Sequence, residues 1–197
     1  MKIVILDTNC ANLLSVKCAI EKLGYHPIIT NDASTISNAN KLLIPGVGSA
    51  IGIMKQLSQK KLIQVIQDIT CPVLGICLGM QVLSSFSEES NGINMLNIID
   101  TPVKLLDTKH FPLPHTGWNQ VIFDNCNHPL FKNILSGSWF YFIHSYAFPI
   151  HHYTIAKSFY QEYFSSVIQK NNFFGVQFHP EKSGSNGKKL LLNFLEM

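Results

Sequence analysis

Arginine is absent: all 15 basic side chains are lysines. A bidentate guanidinium clamp on a phosphate or carboxylate is therefore excluded within this chain. Charge of either sign is sparse, 14% of the 197 residues, where ~25% is usual. The formal net charge of +3 is too small to argue for a nucleic-acid or membrane surface. No C-x-x-C pair occurs among Cys10, Cys18, Cys71, Cys77 and Cys126, and the count is odd. That speaks against a disulfide framework or a zinc site. The apolar run Ile3–Leu6 is too short for a signal peptide, and no stretch approaches the ~20 apolar residues of a membrane span. A soluble protein of a reducing compartment, the cytoplasm, is expected. The apolar share of 46% is ordinary, so disorder, collagen and coiled coil are excluded. The length suits one domain, 1–197.

The first half alternates strand and helix. Strands are expected at Ile3–Leu6, Pro27–Thr30, Leu42–Ile44 and Val73–Ile76. Helices are expected at Asn12–Leu23, Ser49–Leu57, Lys60–Ile69 and Leu78–Ser85. This alternation predicts a parallel sheet with helices on both faces. The second half is richer in strands: Val103–Leu106, Trp118–Phe123, Trp139–Tyr146, Tyr153–Phe159, Tyr163–Gln169 and Phe173–Phe178. Ser185–Leu195 reads as a closing helix capped by Ser185 or Asn186.

The sharpest chemical signal is Gly75-Ile76-Cys77-Leu78-Gly79, between an apolar strand and a helix. It has the form of a nucleophile elbow with Cys in place of Ser. The turn is tight, so small residues are needed two before and two after the nucleophile. The helix start lends partial positive charge to a thiolate. A Cys nucleophile needs a base, and the base an orienting group. His179, at the end of the last strand, and Glu181, two residues on, supply both. Acyl transfer also needs donors aimed at the oxyanion. One is the Leu78 N–H. The other is expected from the loop Pro45-Gly46-Val47-Gly48 at the carboxyl end of the third strand, at Val47 or Gly48. These residues describe a Cys–His–Glu centre acting on an amide, ester or thioester, and leave the substrate open.

At these motifs the sequence resembles the class-I glutamine amidotransferases: Pro45–Gly48, Pro72–Gln81 and Val176–Ser183. The stretches Pro114-His115-Thr116-Gly117-Trp118-Asn119 and Tyr141-Phe142-Ile143-His144-Ser145-Tyr146 resemble the branch that feeds imidazole glycerol phosphate synthase. The resemblance runs from end to end. It implies an open, mostly parallel sheet with helices on both faces and additional antiparallel strands. It further implies glutamine as substrate, recognised by Gln81, Glu89 and the backbone at Ser145 and Tyr146. Without Arg, backbone donors are left to meet the α-carboxylate. The implied partner is a (β/α)8-barrel cyclase subunit in a heterodimer, facing Asn12, Trp118, Asn119 and Tyr141. No metal and no cofactor are implied. A glutaminase of amidino-sugar synthesis and a cysteine-elbow hydrolase of related fold are the competing readings. Thr116 departs from the family's usual Met at the expected docking face, and Cys10 reads as incidental.

Overall fold

A computed structural model describes residues 1–8, 12–109 and 111–197. Cys10 therefore lies outside the described residues. In chain order the strands are β1 (Ile3–Leu6), β2 (Ile28–Thr30), β3 (Lys41–Gly46), β4 (Val73–Cys77), β5 (Phe86–Ser87), β6 (Ile93–Asn94), β7 (Lys104–Leu105), β8 (His115–Val121), β9 (Ser138–His144), β10 (Tyr146–Ala147), β11 (Thr154–Tyr160), β12 (Glu162–Lys170) and β13 (Phe173–Val176). The α-helices are α1 (Leu13–Glu21), α2 (Ala33–Ser37), α3 (Ala50–Gln59), α4 (Ile63–Gln67), α5 (Leu78–Gln81) and α6 (Gly184–Glu196).

Seven strands form the central sheet in the order β11-β12-β13-β4-β3-β1-β2. The five from β13 to β2 run parallel, and β12 and β11 extend the sheet antiparallel. The pleat sends successive side chains to opposite faces, which divides the core in two. Ile3, Ile5, Leu43, Leu74 and Ile76 meet Val16 and Ile20 of α1 and Leu190, Leu191 and Phe194 of α6. Val4, Leu6, Leu42, Ile44 and Val73 meet Ile36 of α2, Ile53 and Leu57 of α3, and Ile66 of α4. Strands buried on both faces are apolar throughout, as β1 and β4 are.

Several boundaries differ from expectation for physical reasons. The third strand runs on through Pro45 and Gly46, which the sequence pattern assigns to a loop. A ladder tolerates proline where no donor is required. β1 pairs with β3 only as far as Leu43, so the sheet does not require an N–H at Pro45 on that side. The Pro45 carbonyl instead accepts from the Thr8 hydroxyl. The helix after Cys77 stops at Gln81 rather than Ser85. The closing helix starts after Ser183, not at a Ser185 or Asn186 cap. The Ser183 hydroxyl is committed elsewhere: it donates to the His179 carbonyl and accepts from the Tyr141 N–H. Helix α2 and the β5–β6 hairpin are too short to leave a periodic pattern in the sequence.

Outside the main sheet, β8 and β9 form an antiparallel ribbon with Trp118 opposite Tyr141. Phe140 and Phe142 point into the core, and Phe140 lies against Phe178 with ring centroids 4.1 Å apart. The ribbon thus covers the carboxyl end of β13, where His179 emerges.

Candidate active site

Cys77 ends β4 with φ 55° and ψ −112°. A side-chain-bearing residue holds this conformation only when its surroundings force it, at a cost of roughly 1–3 kcal/mol. Three glycines make room for that turn. A Cβ on Gly79 would run into the Ile44 carbonyl, and one on Gly75 into the Gly79 carbonyl. A Cβ on Gly46 would lie 2.8 Å from the Leu78 Cβ and the Gly79 nitrogen. β3, β4 and α5 approach closely enough to present the sulfur only because these positions are bare. With four residues, α5 carries little macrodipole, so electrostatic support for the sulfur falls mainly to its neighbours.

β13 lies beside β4, with Val176 paired to Ile76, so the next residues of both strands emerge together. His179 is 2% exposed and Cys77 7%. His179 Nδ1 lies 2.8 Å from Glu181 Oε1, which leaves Nε2 for Cys77. The His179 N–H donates to the Tyr141 carbonyl at 2.8 Å and fixes the turn against the ribbon. Burial disfavours the imidazolium, but the hydrogen bonds to Cys77 and Glu181 and the electrostatic pull of both groups outweigh it. The His179 pKa is pushed up to about 10.

Asn12, expected on a docking face, is only 7% exposed and donates to Glu181 Oε1. The other carboxylate oxygen, Oε2, is buried with no hydrogen-bond partner among the described residues. Sequence reasoning misses two further neighbours of the sulfur. The Cys77 thiol points at the Ile143 carbonyl at 3.5 Å, and the Gln177 amide lies 3.8 Å from the sulfur. Gln177 stands within the His179 motif. Nothing local in the sequence marks the Ile143 carbonyl.

A cleft of about 280 Å³ opens over the sulfur. Its walls bring together Cys77, His179, Val47, Gly48, Leu78, Gln81, Glu89, Ser145 and Tyr146; Glu181 stands behind His179. Gly48 has φ +105° and open space where a Cβ would be, so conformation and not crowding calls for glycine there. Gln81 donates to the Tyr146 carbonyl at 2.7 Å and to Gln177 Oε1 at 3.2 Å. Its amide therefore braces the wall. Glu89 Oε2 accepts the Ala50 N–H at 2.7 Å, at the first turn of α3. Lys182 also lines the cleft, as its single lysine among the described residues.

This is a buried thiol, a proton-holding imidazole and a carboxylate in line, beneath a cleft that admits a small polar molecule. A family model of the class-I glutamine amidotransferases matches residues 4–197. The chain belongs to the class-I glutamine amidotransferase family.

Within the family, the chain is 54% identical to imidazole glycerol phosphate synthase subunit HisH of Buchnera aphidicola subsp. Schizaphis graminum and 55% identical to that of Blochmanniella pennsylvanica. It is 51% identical to that of Salmonella typhimurium. All three alignments span 100% of both chains. Among solved structures, a glutamine amidotransferase shares 15% of residues. Its TM-score is 0.76, covering 100% of this chain and 98% of that one. The glutaminase domain of a Trypanosoma brucei CTPS shares 14% with TM-score 0.69, covering 100% and 94%. These two show a common class-I amidotransferase fold.

In this amidotransferase the remaining expected interface residues lie on the β8–β9 ribbon. Trp118 is 53% exposed and meets the half-buried Tyr141 edge-on at 5.9 Å. Gln120 pairs with the exposed Trp139, and Thr116 with Ile143, on the same outer face. Asn119 turns the other way and donates to the Phe159 carbonyl at 3.0 Å. No helix among the described residues is long and apolar enough to cross a membrane.

Proposed function

We propose that the chain is the glutaminase subunit of imidazole glycerol phosphate synthase, one domain over residues 1–197, working in the cytoplasm. It hydrolyses L-glutamine to glutamate and ammonia. The ammonia passes to a (β/α)8-barrel cyclase subunit that makes imidazole glycerol phosphate and AICAR in histidine biosynthesis. The observation that carries this reading is Cys77, His179 and Glu181 in line under the cleft, in a chain with full-length HisH relatives above 50% identity.

The Cys77 sulfur attacks the carboxamide carbon, and the negative charge moves to the carboxamide oxygen. The Leu78 N–H and a donor at Val47 or Gly48 receive that oxyanion. As the C–N bond breaks, the proton held on His179 goes to the leaving nitrogen, giving ammonia and a thioester. Neutral His179 then takes a proton from water, whose oxygen attacks the thioester. A second oxyanion collapses to glutamate, and the sulfur leaves as it began. Glu181 holds the imidazole in orientation throughout, steadied by Asn12. Glu89 suits the α-ammonium of glutamine, the backbone at Ser145 and Tyr146 frames its amino-acid end, and Lys182 is placed to meet the α-carboxylate. The exposed aromatic face around Trp118 and Tyr141 is the surface offered to the cyclase, since large exposed aromatic patches mark protein interfaces.

The test is glutamate release from glutamine by the chain alone and with the cyclase partner in the presence of its nucleotide ligand. Strong stimulation by that partner is expected, with all activity lost in Cys77→Ala. Activity indifferent to the partner would move the chain to another amidotransferase pathway. Undiminished turnover by Cys77→Ala would overturn the triad.

A further inference from the structure

Two histidines outside the triad form a chain of hydrogen bonds whose direction is fixed at both ends. At one end, His144 Nδ1 lies 3.0 Å from the Tyr146 carbonyl, which only accepts. His144 Nδ1 therefore carries a proton, and in the neutral ring Nε2 is an acceptor. His115 Nδ1 lies 3.0 Å from that Nε2, so it must donate. His115 Nε2 is then an acceptor and faces Asn119 Nδ2 at 3.3 Å. At this far end the Asn119 amide cannot be turned around. Its Oδ1 accepts the Gln120 N–H at 2.7 Å, and its Nδ2 donates to the Phe159 carbonyl at 3.0 Å. The surroundings keep both rings neutral. His115 stacks on Tyr160 at 4.1 Å, and His144 packs on Phe164 at 4.9 Å. Burial lowers the His115 pKa to about 4. Burial, then the neighbouring His115, lowers that of His144 to about 3.

We propose that His144 and His115 are positioning residues for the amide substrate: the one-way chain Asn119→His115→His144 holds the Tyr146 carbonyl, and with it the Ser145–Tyr146 wall of the cleft. The proposal rests on reading the cleft as the glutamine site. Gln81 donates to the same carbonyl from α5. Two donors on one acceptor fix the peptide plane at 146–147 far more firmly than one. A His144 ring proton moved to Nε2 would confront the carbonyl with a bare Nδ1 lone pair and release it. His115 prevents that by occupying Nε2 with its own donor.

The first test needs no variant. Nitrogen-15 spectra of the side chains at pH 7 should show both His144 and His115 protonated at Nδ1 alone. A proton on Nε2 of either ring, or on both nitrogens, overturns the chain. The second test is steady-state glutamine hydrolysis by the complex with the cyclase. His144→Phe and His115→Phe should each raise the KM for glutamine about five-fold, the worth of one neutral hydrogen bond. Their kcat should hold within about two-fold. Alkylation of Cys77 by iodoacetamide should proceed at the wild-type rate. His144→Asn, which keeps an N–H near the Nδ1 position, should recover most of the lost affinity. A KM unchanged in both Phe variants, or a fall in kcat alone, overturns the positioning role. A wild-type complex that releases no glutamate overturns the glutaminase reading, while the two tautomers still decide the hydrogen-bond chain. If His144→Phe fails to fold, the tautomer measurement stands by itself.

Discussion

Asn12→Ala removes the amide that donates to Glu181 Oε1 and leaves a buried carboxylate whose remaining partner among the described residues is His179. A hydrogen bond to a charged group is worth ~1.5–3 kcal/mol, so kcat for glutamine should fall about 10-fold or more. Cyclase affinity should stay near the wild-type value, because the side chain is buried beneath the site. A titration showing lost affinity with an unchanged kcat would return Asn12 to the docking face. The glycines offer a sharper contrast. Gly79→Ala places a Cβ on the Ile44 carbonyl, and backbone cannot give way there as a side chain can. That variant should fail to fold or should melt far below the wild type. Gly48→Ala meets no atom within 4 Å. It should fold and melt within a few degrees of wild type, yet lose turnover as the loop leaves φ +105°, a region costly to side-chain-bearing residues. Melting curves and glutamate release on the pair separate crowding from conformation. Equal damage to folding in both would refute the distinction.

The element on which docking depends is the β8–β9 ribbon. Its inner residues, Phe140 and Phe142, are core, and its outer face is left with Trp118, Tyr141 and Trp139. Trp118→Ala should therefore leave thermal stability almost unchanged, as half-exposed positions do. It should weaken cyclase binding about 30-fold, since interfacial tryptophans often contribute ~2 kcal/mol or more. A large loss of stability with intact affinity would make Trp118 a packing residue. The ribbon also shows how far pattern reading reaches. The aromatic run along Trp139–Tyr146 announces a strand, and the elbow and the His179 motif announce the triad, because each is a local demand of chemistry or side-chain preference. What stays hidden is what a distant element supplies. Pro45 is tolerated inside a strand because β1 ends early beside it. The helix after Cys77 stops at Gln81, where the chain turns away toward the β5–β6 hairpin. Nothing near Asn12 in sequence reveals its hydrogen bond to Glu181, 169 residues later. Lys182 stands within the Val176–Ser183 stretch, yet only the fold makes it part of the cleft wall.

At the scale of the whole molecule, the buried and half-buried histidines pull stability in opposite directions with pH. His179 is raised to about 10 when folded, against ~6.5 when unfolded. Its contribution is therefore complete below pH ~6.5 and is lost as pH rises toward 10, because the folded state binds the extra proton over that interval. His115, His144 and His151 move the other way, to about 4, 3 and 4. Below pH ~6.5 the unfolded chain takes up protons that these folded rings refuse, so stability falls as the medium becomes acidic. The stability of this chain should accordingly peak close to pH ~6.5 and decline on both sides. Urea unfolding at about pH 4.5, 6.5 and 9 measures it, on either side of that maximum. The two limbs also have separate owners. His179→Gln should flatten the alkaline limb and leave the acid limb standing, while a His144→Phe chain that folds should soften only the acid limb. A flat profile across that range, or an alkaline limb that survives His179→Gln, would show that the proton on His179 is not held by the folded site.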